Sequence, residues 1–229
     1  MFSRLFQVCS SSFPVHARFG LASGCLLLMS LPAGAAEFVM RDLQAVVTAQ
    51  PTAFDFTLTT PTLTRTASDS FDSGTGLELG GRYSISRVGD PFGLILGLDA
   101  TSAAYSYGSQ DFMFNYGARG SLGLGYALTD DWGVSGECGL LYGKSSLSLP
   151  ANNGAPAFSA DGTYRGYDAR LVCQYRATKQ VCVSLQAGYV LTSYDLTTNA
   201  NDSLTLDQTG PYIGLGLTWR FSSAPARVE

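Results

Sequence analysis

Nine charged residues define the chemistry open to the interior of this sequence. Four acids (Glu78, Asp99, Glu137, Asp168) and five arginines (Arg82, Arg119, Arg170, Arg176, Arg220) fall at alternating positions among glycines and small polar residues. On one shared face they can do one of two things. They can pair with one another, as buried charges must, or they can line a narrow gated pore for small solutes. The pairing reading predicts that Arg119 touches an acid on a neighbouring strand, with Glu137 and Asp99 the nearest candidates.

Catalysis finds little support. The sequence has one histidine, His16, inside the first 36 residues, so residues 37–229 offer no histidine base or proton relay. No catalytic residue is assigned and no enzyme is expected. Without histidine or clustered cysteine ligands, no metal or cofactor is expected either. The glycine run "GTGLELGG" (74–81) precedes no readable helix, so its glycines read as small interior positions rather than a phosphate loop. A net charge of -4 offers no basic patch for nucleic acid.

The elements that position these charges are strands. In "FMFNYGARGSLGLGYALTDDWG", from Phe112, every second residue is apolar or aromatic, while the intervening set is small, polar and carries Arg119. The same alternation recurs in segments near 53–66, 74–87, 92–107, 111–128, 132–149, 163–177, 181–196 and 208–221, with tight and variable connections alternating between them. Pro61 interrupts the first of these.

Period alone leaves open which face points inward, and a soluble exported barrel with an apolar interior is the competing arrangement. Size decides against it. Eight strands enclose a space just wide enough to be filled by side chains. The face dense in Leu, Tyr, Phe and Trp therefore belongs outside and the glycine-rich face inside. The strands also exceed the roughly 9–11 residues needed to cross a bilayer at a tilt. A closed barrel satisfies every backbone donor and acceptor in lipid, which an open sheet does not.

Residues 1–35 read as an export signal: Arg4 and Arg18, then the apolar "LASGCLLLMSL", then the small-x-small Ala33-Gly34-Ala35. Residues 36–52 read as a short N-terminal periplasmic segment, 53–221 as the barrel and 222–229 as a tail. Beyond the signal the cysteines number three (Cys138, Cys173, Cys182), which argues against a disulfide framework. Strand parity puts Cys138 and Cys173 on the apolar face, so any pair would form between them, with three free thiols the simpler expectation.

The C-terminal "GLTWRF" (216–221), with Gly216, Trp219 and Phe221, resembles the assembly signal of bacterial outer-membrane barrels. Together with the export signal and the alternating strands, it makes the chain similar to the small OmpA, OmpX and opacity-protein class. That resemblance implies an all-β fold: an eight-stranded antiparallel up-and-down transmembrane β-barrel in the outer membrane of a Gram-negative-type bacterium. It implies outer-membrane lipid and the barrel-assembly machinery as partners. The polar connections 150–162 and 197–208 are the candidate contacts for a cell-surface ligand.

Overall fold

The computed structural model describes residues 37–86, 91–107, 111–149 and 157–221, all within one compact unit spanning Ala36–Glu229. The segments read as an export signal (1–35) and as a tail (222–229) lie outside the described residues.

Ten strands form one antiparallel sheet: β1 (Glu37–Ala49), β2 (Ala53–Thr59), β3 (Thr64–Ser70), β4 (Ser73–Ser86), β5 (Phe92–Tyr107), β6 (Asp111–Ala127), β7 (Trp132–Leu149), β8 (Phe158–Arg176), β9 (Val181–Thr198) and β10 (Ser203–Arg220). Their order is β1-β4-β5-β6-β7-β8-β9-β10, and β1 also pairs with β10, so eight strands close into a ring. The β2–β3 hairpin stands on the rim, with β2 paired to the upper part of β10.

Seven of the eight ring strands follow the alternation read from the sequence; the eighth corrects it. The strand that closes the ring is Glu37–Ala49, within the segment expected to be periplasmic. It pairs with β4 from Glu37↔Ser86 to Ala49↔Thr75 and with β10 from Asp42↔Arg220 to Ala49↔Ile213. Residues 53–66 are no single barrel strand. A tight turn at Pro61-Thr62, closed by the Thr60–Leu63 backbone bonds, folds them into the β2–β3 hairpin. β1 gives little signal in the sequence because its inward set, Gln44, Val46 and Thr48, and its outward set, Leu43, Ala45 and Val47, differ little in polarity and carry no aromatic. The two candidate loops are also shorter than expected. Residues 158–162 and 203–208 are ladder residues of β8 and β10, because Leu204 and Leu206 continue the inward apolar period; 150–156 lie outside the described residues.

Side chains sort by parity as a closed barrel requires. Arg119 and Asp99 are fully buried, whereas Leu140 and Leu171 are 62% and 71% exposed. The outward band ends in aromatic belts. At the end with the tight turns, Phe92 packs tilted against Tyr126 (4.7 Å between rings) and Trp132 against Tyr175 (4.8 Å). The far belt holds Tyr116, Tyr142, Tyr167 and Tyr189. Tyr116 faces Lys144, two residues beyond Tyr142; Tyr142 faces Arg165, two short of Tyr167; Tyr167 faces Leu191, two beyond Tyr189. That constant step is the strand tilt, and it holds the four tyrosines at one level. From Tyr116 to Tyr126, at about 3.3 Å per residue and a tilt of about 45°, the band is about 23 Å tall, close to the apolar belt of about 25 Å in a membrane barrel.

Cys138, Cys173 and Cys182, the described cysteines, are free. Cys138 faces Ala169 and Cys173 faces Val134 on the same strand pair. Four ladder steps, about 13 Å, separate two residues whose Cα atoms would have to approach within about 7 Å to be bridged.

Candidate functional site: the lumen

The interior is occupied at three levels. At the tight-turn end an open cavity of about 250 Å³ is lined by Arg82, Ser84, Ile95, Gln174, Arg176 and Arg220, among others. Above it lies a charged layer. Above that, at the hairpin end, is an apolar and aromatic layer.

The charged layer gathers seven of the nine charges singled out in the sequence. Arg119 on β6 holds Asp168 on β8 with two parallel bonds, Nε to Oδ1 at 2.9 Å and Nη2 to Oδ2 at 3.0 Å. Its Nη1 donates to Asp99 at 3.4 Å and lies 3.9 Å from Glu137. The expected neighbours are therefore contacts, but the strongest partner lies two strands away. Arg119 reaches it because β7 passes between them at Gly139. A Cβ on Gly139 would sit 2.1 Å from Asp168 Oδ1 and 2.6 Å from Arg119 Nε, so a side chain and the bidentate pair cannot share that space.

Arg170 on β8 is the second centre. It donates from Nη1 to Glu78 Oε2 at 2.7 Å and to Gln186 Oε1 at 2.9 Å, and from Nε to Glu137 Oε2 at 3.0 Å. Arg82 on β4 donates to the other oxygen of Glu137, which Ser135 also approaches. The layer thus sets four acids (Glu78, Asp99, Glu137, Asp168) against three arginines (Arg82, Arg119, Arg170), an excess of one carboxylate. Neutral donors answer it: Gln44 Nε2 donates to Asp99 Oδ1 at 2.6 Å and Tyr212 Oη to Asp168 Oδ2 at 2.6 Å. The sequence reading names neither: Gln44 lies in β1, whose two faces differ little in polarity, and Tyr212 is an aromatic on the inward face, where that reading expects small and polar residues.

Two of the nine lie elsewhere. Arg176 is exposed at the tight-turn rim, and Arg220 pairs with Asp42 at 3.2 Å, half-way to solvent. The C-terminal trio divides between faces. Gly216 is buried inside, while Trp219 and Phe221 are exposed on the outer face at the tight-turn belt.

The apolar layer has no counterpart in the sequence reading. Phe54, Phe71, Tyr105, Met113, Leu147, Tyr164, Tyr194 and Leu206 pack across the mouth with others. Phe54 meets Tyr105 edge-on at 5.2 Å and Phe71 at 5.1 Å. The phenols are satisfied inside it: Asn115 donates to Tyr194 (3.0 Å), and Tyr194 donates to Gln208 Oε1 (2.9 Å), whose amide donates to Tyr105 (2.9 Å) and to the Pro51 carbonyl (2.6 Å). The signal that could have found this layer is the inward parity of Tyr105, Met113, Leu147, Tyr194 and Leu206, all on the hairpin side of the charges.

Residues 21–221 match the family model described as outer membrane protein beta-barrel domain. No curated protein sequence matches the chain. Among solved structures, the chain is similar to the outer membrane protease OmpT from Escherichia coli (8% identity, 81% of this chain and 95% of that one, TM-score 0.39). It is similar also to Ail, the attachment invasion locus protein of Yersinia pestis, in complex with the heparin analogue sucrose octasulfate (14%, 79% and 99%, 0.38). A third is Neisserial surface protein A, NspA (13%, 78% and 97%, 0.39).

Proposed function

The chain belongs to the outer-membrane β-barrel family, and from that premise we propose that it is a non-enzymatic barrel, structural or surface-interacting, whose lumen is closed by its own charges. In a barrel of this class short turns face the periplasm, so the tall strands and the β2–β3 hairpin stand outside the cell. The observation that carries the reading is the span of the ion pairs. β4 and β8 are diametrically opposite in the ring, and Glu78 and Arg170 meet across it at 2.7 Å. The aromatic layer stands above this strut as a second barrier, so an ion entering the periplasmic cavity meets paired charges and then packed rings.

A histidine-dependent hydrolase finds no support, because the only histidine lies in the segment read as the export signal. Outside the cell the sheet of β8, β9, β10, β2 and β3 offers its polar outward face, with Asp55, Asp161, Asp195 and Asp207, as the surface for contacts. Trp219 and Phe221, exposed on the outer face at the end of β10, support reading this end of the strand as the assembly signal.

Planar-bilayer recording of refolded protein tests the closed lumen. The parent should conduct weakly or not at all, and Arg119→Ala should destabilise the barrel or admit water and ions past the gap. A large, steady conductance in the parent, unchanged by Arg119→Ala, would replace the closed barrel with a pore.

A further inference from the structure

β3 is the last strand of the sheet. Among the described residues it pairs with β2 alone, and the β4–β5 ladder that would have flanked it stops at Ser73↔Ser106. All its residues are exposed. Such an edge presents a row of free backbone N–H and C=O groups that another extended strand satisfies.

The hairpin fixes which groups face the open edge. Thr60 and Leu63 exchange backbone bonds at 2.8 and 3.4 Å, and the Phe71 N–H donates to the Thr52 carbonyl at 2.9 Å. Antiparallel ladders alternate, so Arg65, Ala67 and Asp69 bond toward β2, while Thr64, Thr66, Ser68 and Ser70 turn their backbone outward. The Ser70 N–H agrees: it is capped by the Asp69 carboxylate at 2.8 Å rather than by β2.

Read about Ala67, the strand Thr64-Arg65-Thr66-Ala67-Ser68-Asp69-Ser70 is its own charge complement. We infer that a second copy of this chain docks here, β3 against β3, antiparallel with Ala67 opposite Ala67. Thr66 then bonds to Ser68 of the second copy and Thr64 to its Ser70, giving about eight backbone hydrogen bonds, two of them (one from each copy) in exchange for the Ser70 cap. Arg65 stands opposite Asp69 twice, in the non-hydrogen-bonded positions where cross-strand side chains are closest, at about 4.5 Å between Cα atoms. A shift of two residues loses this, because it sets Arg65 opposite Ala67 or Phe71. The contact is isologous, and the two-fold axis of an antiparallel pair is perpendicular to its sheet. The second barrel is therefore turned end for end. The two copies meet mouth to mouth, from membrane surfaces that face each other.

The inference rests on the outer sheet being the interacting surface, and its test is separate from conductance. Phosphatidylcholine vesicles carrying refolded full-length protein are labelled as energy-transfer donors or acceptors and mixed, with folding checked by the heat-dependent shift on gels. Parent vesicles should associate. Arg65→Asp alone and Asp69→Arg alone each place like charges opposite one another twice and should lower association about tenfold or more. Mixing Arg65→Asp vesicles with Asp69→Arg vesicles restores both opposite pairs and should return association to the parental level. Parent vesicles that stay apart, single variants that match the parent, or a mixture no better than either variant would each overturn the pairing. Bilayer conductance of the same preparations reports the closed lumen independently.

Discussion

Arg170 Nη1 lies 2.7 Å from Glu78 Oε2, joining the two sides of the barrel through its centre. The same guanidinium also holds Glu137 and Gln186. Removing it leaves Glu78 without its arginine and takes one of two arginine donors from Glu137, and breaking such a buried pair costs about 3–5 kcal/mol. Arg170→Ala should therefore lower stability to urea, followed by fluorescence of Trp132 and Trp219 in lipid vesicles. Arg170→Leu combined with Glu78→Gln should lose less than the sum of the two single changes, because the residues share one network. Additive losses would show that the two act separately.

Gly139 is the passage through which Arg119 reaches Asp168. Gly139→Val should separate that pair or push β7 outward, at about 1–3 kcal/mol, read as a lower urea midpoint. Gly136→Val is the control on the same strand. Its Cβ would point outward and meet only a Leu171 methyl at 3.8 Å, an ordinary contact. Equal losses at both positions would mean that the cost is glycine removal from β7 in general.

Most of the fold was legible because period two is a strong signal wherever the two faces differ in chemistry. β5 to β10 alternate Leu, Tyr or Phe with Gly, Ser or a charge, so their faces could be assigned residue by residue. β1 could not be read, since Gln44-Ala45-Val46-Val47-Thr48 offers small or apolar residues to both faces. The charged layer was legible as a set but not as a geometry. Parity placed Arg119 and Asp168 inside, yet only the ring shows that two strands of separation collapse to 2.9 Å over a glycine. The aromatic mouth was hidden by the assumption that one face carries one kind of chemistry. Inward residues are charged at mid-height and apolar above, because strands that rise beyond the membrane need a core of their own.

Trp219 and Phe221 stand on the outer face where β10 ends, with Trp219 half exposed. Neither contributes to the lumen, so replacing both with Ser should change the finished barrel's urea midpoint little. The amount reaching the outer membrane should fall instead, if the insertion machinery reads this end of the strand. Fractionation with blotting checks the amount, and refolded protein checks stability. Normal outer-membrane levels would leave the pair as interface anchors only.

The closing strand makes the sharpest test of the architecture. Without Glu37–Ala49, β4 and β10 would face each other across a missing wall, each with a row of unpaired N–H and C=O groups. In lipid each such group costs several kcal/mol. A chain deleted for 37–49, with its first 36 residues retained for export, should give no heat-shifted folded band and little membrane-inserted protein. Replacing 53–70 with a two-glycine linker should be far milder. The hairpin leaves and returns at one point: the Phe71 N–H bonds to the Thr52 carbonyl and the Gln50 N–H to Gly74, both at 2.9 Å. The ring would remain closed, although the mouth would lose Phe54 from its packing. The opposite result, a folded barrel without 37–49 and none without 53–70, would return the first strand to the hairpin segment.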